Sequence, residues 1–122
     1  GHVMGDDAIR SIAQLLNDCV RTSDVVYRYG GEEFLIAMPE TESDSADLVA
    51  ERIRAATEAA AIPHPDSTAG DVVTVSIGHT SVTRHNLVEF SAWTEVVEEA
   101  DRALYRAKDG GRNRVVGSND HS

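Results

Sequence analysis

Apolar positions along the chain first recur at helical spacing. Ile9, Ile12, Ala13, Leu16, Cys19 and Val20 line one face of a segment running from Asp6 to Val20. A polar break, Arg21-Thr22-Ser23-Asp24, ends that helix, and Val25-Val26-Tyr27 then reads as a short strand. Gly30-Gly31 is a turn signal, and Phe34 to Met38 reads as a second strand stopped by Pro39. Two extended runs around a Gly-Gly pair predict a β-hairpin, since glycine accepts the positive φ of tight turns. After the polar stretch 40–44, a long helix directs Leu48, Val49, Ile53 and Ala56 towards a core and dissolves at Pro63-His64-Pro65-Asp66. Val72 to Ile77 alternates β-branched residues with Thr74 and Ser76, a strand ending at Gly78; Thr80 to Phe90 reads as a variable loop. A last helix, Trp93 to Lys108, turns Val96, Val97, Ala100, Leu104 and Ala107 inward, is anchored by Trp93 to the core or a neighbouring surface, and stops at Asp109-Gly110-Gly111. Arg114 to Val116 makes a final short strand. The order predicts an α+β domain over 1–117, with helices flanking a mainly antiparallel sheet, and a disordered tail over 118–122.

Composition sharpens this picture in a few places. The 122 residues suit one domain. No apolar run approaches the roughly 20 residues that span a bilayer, and no signal peptide is recognisable. With 21 acidic against 11 basic residues the net charge is −10. That disfavours broad binding to DNA or RNA, which needs many cationic phosphate contacts, but leaves room for a small phosphorylated ligand held by a few arginines and a metal. Glu95, Glu98 and Glu99 read as solvated helix surface. Cys19, the lone cysteine, sits on the apolar stripe of its helix and reads as a small buried hydrophobe. His64, His79, His85 and His121 lack ligand spacing, so no zinc site is expected, and His2 reads as structural.

The hairpin tip carries the candidate chemistry. Gly30 and Gly31 leave backbone bare, so a ligand can approach closely and amide N–H groups can face a phosphate. Glu32 and Glu33 follow at once, and carboxylates beside bare backbone suit Mg²⁺, which takes oxygen ligands and keeps substrate phosphates in its shell. Adjacent strand residues point to opposite faces, so both acids serve one site only if the turn rotates one of them inward. On these residues alone, an ordinary exposed turn with two solvated acids stands beside the metal-site reading.

The surroundings add a pattern. Arg28-Tyr29-Gly30-Gly31-Glu32-Glu33-Phe34 resembles the signature of the GGDEF family of diguanylate cyclases, in its variant with Glu at the third position. Gly1-His2-Val3-Met4-Gly5-Asp6 is similar to the family's Gly-His-x-x-Gly-Asp, and Val75-Ser76-Ile77-Gly78 to its next strand. Ala100 to Lys108, followed by Gly111-Arg112-Asn113, is similar to its last helix and closing turn. Four blocks in the right order cover nearly the whole chain.

The resemblance implies a nucleotidyl-cyclase-like, ferredoxin-like fold and a reaction between two GTP molecules held by facing domains of a homodimer. Each 3′-hydroxyl attacks the α-phosphate of the other nucleotide, giving cyclic di-GMP and pyrophosphate. Carried over by position, Glu32 and Glu33 ligate Mg²⁺ (or Mn²⁺), with Glu32 also helping to deprotonate the 3′-hydroxyl. A two-metal site stabilises attacking and leaving oxygens together. Gly30 and Gly31 border the substrate. Asp6 accepts from the guanine N1–H and exocyclic amine, a donor pair that adenine does not present. Lys108 and Arg112 hold the terminal phosphates. Arg21-Thr22-Ser23-Asp24 fits the family's inhibitory Arg-x-x-Asp site, with Arg52 a second product-contacting arginine; the alternative for Arg21 and Asp24 is a polar helix-to-strand turn with an internal ion pair.

Family members carry a further stretch before the residue matching Gly1, with a first helix, a central strand bearing another metal-binding aspartate, and a guanine-contacting asparagine. The expectation is therefore a partial domain, weak or inactive alone, from a protein that is cytoplasmic or the cytoplasmic part of a membrane-bound one. A non-catalytic cyclic di-GMP receptor or scaffold is the alternative to a cyclase.

Overall fold

The computed structural model describes residues 5–30, 33–64, 71–83 and 86–118. The elements follow the order α1 (Asp6–Cys19), β1 (Val25–Gly30), β2 (Glu33–Ala37), α2 (Ser43–Ala59), β3 (Ile77–His79), a 3₁₀ turn (Leu87–Glu89), α3 (Trp93–Asp109) and β4 (Val115–Gly117). No helix among the described residues is long and apolar enough to cross a membrane.

The α1 stripe forms as its spacing requires: Ala8, Ile9, Ile12 and Leu16 are buried on one face. Asp6 and Asp7 occupy its first turn, where the exposed N–H groups favour negative charge. Ile12 and Leu16 meet Ile53 of α2 and Val73 in one core. Val26, Phe34 and Ile36 of the hairpin, with Val75 and Ile77, pack against that cluster. Each fully buried side chain of this size contributes about 1.5–3 kcal/mol, so α1, α2 and the hairpin are held chiefly by a shared apolar surface.

The hairpin is antiparallel, pairing Val25 with Ala37, Val26 with Ile36, Tyr27 with Leu35 and Arg28 with Phe34. Gly30 then pairs with Glu33, so Tyr29 is an extra residue and the ladder carries a bulge. Gly30 belongs to the strand and does not take the positive φ expected of it. Gly31 lies outside the described residues.

The α+β architecture is as expected, but the second ladder is parallel: Ile77, Gly78 and His79 run beside Val115, Val116 and Gly117. The strand expected over Val72–Ile77 is shorter and shifted. Val72 makes one bridge to Pro63, and ladder pairing begins only at Ile77. The alternation correctly signals an extended segment with Val73 buried, but a ladder also needs a neighbour alongside, and among the described residues β4 reaches only Ile77–His79.

Two inward assignments are corrected. Leu48 is 70 % exposed, because the buried face of α2 is Ala46, Ala50, Ile53 and Thr57, and Leu48 lies two residues around from it. Trp93 is 66 % exposed and does not anchor α3 to the core. That helix is seated by Ala103 and Ala107, both fully buried. Gly78 explains the seating, since a β-carbon there would overlap the backbone of Leu104 and Ala100. On the acidic face, Glu95 accepts from the Ser91 amide at 2.9 Å and Glu99 from the Thr80 hydroxyl at 3.2 Å, so only Glu98 fits the solvated reading. Ser118 is tied back by its amide to the His79 carbonyl at 2.8 Å; the tail expectation for 119–122 lies outside the described residues.

Candidate functional site

The candidate groups stand at the ends of elements: the start of α1, the hairpin turn, the end of α3 and the join of α1 to β1. Asp6 opens α1 behind Gly5, whose carbonyl accepts from the Ile9 amide at 3.1 Å, and its carboxylate is exposed. Glu33 starts β2 opposite Gly30 and is also exposed. A β-carbon at Gly30 would meet nothing within 4 Å, so the backbone there is open to a ligand as expected. Glu32 lies outside the described residues. Neither Asp6 nor Glu33 has a hydrogen bond or ion pair to its side chain among the described residues, and no cluster of three metal-binding side chains forms among them.

Lys108 and Arg112 come from the end of α3. Lys108 stands in its last turn beside Arg106. Beyond Gly110 the chain curls back, with the amides of Gly110, Gly111 and Arg112 donating to the carbonyls of Arg106, Lys108 and Ala107 at 2.9, 3.3 and 3.0 Å. This closure satisfies carbonyls that would otherwise be bare, and it keeps Arg112 beside Lys108. Both side chains are exposed and carry no protein partner among the described residues. Among the described residues no hydrogen bond or ion pair joins them to Asp6 or Glu33.

Arg21, Asp24 and Arg52 form a second place, where α1 gives way to β1. The Arg21 carbonyl accepts from the Asp24 amide at 3.0 Å, while the Arg21 amide donates to Asp24 Oδ2 at 2.9 Å. Arg21 Nη2 donates to Asp24 Oδ1 at 3.1 Å, so the internal ion pair of the polar-turn reading is present. The hydrogen bond from Arg21, more than its charge, holds the Asp24 carboxyl below the usual carboxylate range. Arg21 Nη2 also reaches the Pro39 carbonyl at 2.9 Å and Thr41 Oγ1 at 2.7 Å. Arg21 thereby clamps a turn in which Glu40 takes a left-handed φ of 52°. A hollow of about 150 Å³ opens beside it, lined by Arg21, Met38, Glu40, Thr41, Ser45 and Val49. Arg52 is exposed on α2, close enough to Cys19 to oppose the upward push that burial gives the thiol. Cys19 is half-buried, as its stripe position implied.

The chain matches the family described as diguanylate cyclase, GGDEF domain, over residues 1–114. It is a GGDEF domain. It is 39 % identical over 116 residues to diguanylate cyclase A of Treponema denticola, covering 95 % of this chain and 30 % of that protein. With diguanylate cyclase DgcM of Escherichia coli the identity is 40 % over 116 residues, covering 95 % and 26 %. The GGDEF domain thus spans less than a third of the length of these curated relatives. In shape it is similar to the GGDEF domain of DgcB from Caulobacter crescentus, solved in complex with cyclic di-GMP (TM-score 0.80, 28 % identity, 94 % of this chain and 65 % of that one). It is also similar to the active GGEEF domain of a diguanylate cyclase from Vibrio cholerae (TM-score 0.78, 27 % identity, 99 % and 72 %).

Several residues that shape these places were not singled out from the sequence: Thr41, which shares Arg21, and Asn113, Arg54 and Glu58, which hold the turn after α3. The signal for Asn113 was available, because asparagine tolerates left-handed backbone better than most residues and stands two residues after Gly111, in the turn that ends α3.

Proposed function

We propose that this GGDEF domain is the catalytic domain of a diguanylate cyclase, condensing two GTP molecules into cyclic di-GMP and two pyrophosphates. The observation that carries the reading is the hairpin in its family context: an unpartnered Glu33 carboxylate beside the bare Gly30 backbone, within a family match over residues 1–114. In each half-reaction a 3′-oxygen bonds to the α-phosphorus of the facing GTP, the bond from that phosphorus to the β-phosphate oxygen breaks, and pyrophosphate leaves with its electron pair. The hydroxyl proton passes to a base, for which Glu32 is the candidate.

Asp6 is a fixed acceptor for guanine at the head of α1. Lys108 and Arg112 supply cationic donors to the β- and γ-phosphates, where charge grows as pyrophosphate departs. Glu33 offers a hard oxygen donor that fits Mg²⁺ or Mn²⁺, with Glu32 as its neighbour. Such a metal, when bound, neutralises phosphate charge and stabilises the entering and leaving oxygens. Since the two nucleotides must face each other, the active form is a homodimer. A cytoplasmic setting, where GTP is available, follows from the same chemistry.

Product inhibition through Arg21, Asp24 and Arg52 belongs to this proposal. It is supported by the pairing of Arg21 with Asp24, whose carboxylate can accept from guanine, and by Arg52 lying close to Cys19 at the end of α1. Ligand-free, Arg21 is spent on its own turn, so product has to share or displace those bonds.

The test is incubation of the full-length protein carrying this sequence with GTP and Mg²⁺, followed by detection of cyclic di-GMP. Synthesis that is abolished by Glu33→Gln is the expected result. Binding of cyclic di-GMP with no synthesis would replace the cyclase by a receptor, and neither binding nor synthesis would overturn both.

A further inference from the structure

The turn after α3 is held in an unusual way. Gly111, Arg112 and Asn113 take φ values of 122°, 64° and 47° in succession. Glycine accepts such values freely; a residue with a β-carbon does so at a cost, and arginine gains nothing local in return. The side chain of Arg112 is exposed and unbonded among the described residues, so it does not hold its own backbone there. Its neighbour does.

Both ends of the Asn113 side-chain amide and the backbone amide of the residue are engaged. Its Oδ1 accepts from Arg54 Nη1 at 3.0 Å and its Nδ2 donates to Glu58 Oε2 at 2.6 Å. Its backbone amide donates to Ser76 Oγ at 3.2 Å. Arg54 is itself set by Glu51, which accepts from Nε at 2.9 Å and from Nη2 at 2.6 Å. Chemistry fixes the orientation of the asparagine amide, because guanidinium can only donate and carboxylate can only accept. Two residues of α2 therefore grip the turn through one side chain, and the segment before β3 grips it through the backbone.

We infer that Asn113, clasped between Arg54 and Glu58, is a positioning residue that holds the left-handed turn presenting Arg112 to the phosphates of the nucleotide. The inference rests on the reading of Arg112 as a phosphate-binding residue. A guanidinium recognises phosphate through a planar fork, so its affinity depends on how narrowly the backbone beneath it is fixed. An aspartate is no conservative replacement at 113: its carboxylate would still accept from Arg54 but would face the Glu58 carboxylate.

The experiment is steady-state kinetics with GTP on the full-length protein carrying this sequence, with melting temperatures measured alongside. Arg112→Ala serves as reference and raises the KM for GTP. Asn113→Gly keeps the left-handed backbone accessible and removes the clasp; it is expected to raise KM roughly tenfold or more while changing kcat much less. Asn113→Asp has at least that effect, and adding Glu58→Gln to it restores KM, because the new amide can donate where the carboxylate repelled. A residue that only supports folding would lower the melting temperature without this split or this rescue. Should Asn113→Gly fail to fold, the single and double aspartate variants decide. If Arg112→Ala leaves KM unchanged, the reading of Arg112 falls and the inference with it. If Arg112→Ala raises KM but Asn113→Gly stays within about twofold of the parent, or Glu58→Gln gives no rescue, the inference alone is overturned.

Discussion

Replacing Gly78 by alanine tests the packing on which the phosphate end of the site depends. Gly78 sits in the middle of β3, paired with Val116, with α3 crossing directly above it. An added β-carbon would overlap the backbone nitrogen and Cα of Leu104 and the carbonyl oxygen of Ala100. Overpacking a core typically costs about 1–3 kcal/mol when side chains can give way. Here the obstacle is helix backbone, and α3 is seated by Ala103 and Ala107, which leave no flexible side chain to move aside. The upper figure therefore applies, about 3 kcal/mol, which for a chain of this length lowers Tm by roughly 12 °C. Gly5→Ala is the control: a β-carbon at Gly5 would meet nothing within 4 Å. That change should cost no more than about 1 kcal/mol, the part that comes from placing alanine at the N-cap of α1. Urea denaturation followed by circular dichroism measures both variants, with unchanged slopes confirming that only stability moved. A loss below about 1 kcal/mol at Gly78, or an equal loss at Gly5, would refute the close approach of β3 and α3.

Two further outcomes concern the Arg21 clamp. Arg21→Ala should cost on the order of 1 kcal/mol even without cyclic di-GMP, because bonds to Pro39 and Thr41 are lost with the ion pair; a urea midpoint equal to the parent's would show the clamp idle in solution. Acid should loosen the same turn. The Asp24 carboxyl is held below the ordinary carboxylate range, so its stabilisation is complete above the unfolded value near 3.9 and is lost as pH falls through the lower folded value. Unfolding free energy measured from about pH 5 downwards should fall less steeply for Asp24→Asn, and parallel slopes would refute this.

Much of the fold was legible because local pattern and packing agree in its helices. The stripe Ile9, Ile12, Leu16 is buried as its spacing demands, and the hairpin pairs where its apolar runs lie. Misreadings arose where size was taken for burial. Leu48 and Trp93 are large and exposed, whereas Ala46 of α2 and Ala103 and Ala107 of α3 are small and buried, and α3 approaches β3 closely at Gly78. Strand length was overread at Val72–Ile77, since alternation reports extension and burial but not the presence of a hydrogen-bonding neighbour. Of the residues proposed for the site, Asp6, Glu33, Lys108 and Arg112 stand exposed at element ends. The groups that fix the turns beside Arg21 and Arg112, Thr41 and Asn113, act through contacts 20 and 59 residues apart in sequence, which no local pattern encodes.

Left-handed backbone links these two places physically. Among the described residues, Glu40, Ala61, Arg112 and Asn113 take positive φ without being glycine. A single such residue costs on the order of 1 kcal/mol or more and persists only where surrounding contacts over-determine it. At Glu40 the contacts come from Arg21, which grips Pro39 and Thr41 on either side. At Arg112 and Asn113 they come from Arg54, Glu58 and Ser76. In both cases the strained turn lies beside an arginine read as a phosphate ligand, but the arginine's part differs. Arg21 supplies the grip itself, so a ligand that recruits it must compete with the turn. Arg112 is gripped by others and keeps its guanidinium free, so a ligand meets it without that competition. That difference matches the division of labour proposed for them, with Arg112 engaged at every turnover and Arg21 engaged only when product accumulates enough to displace its internal partners.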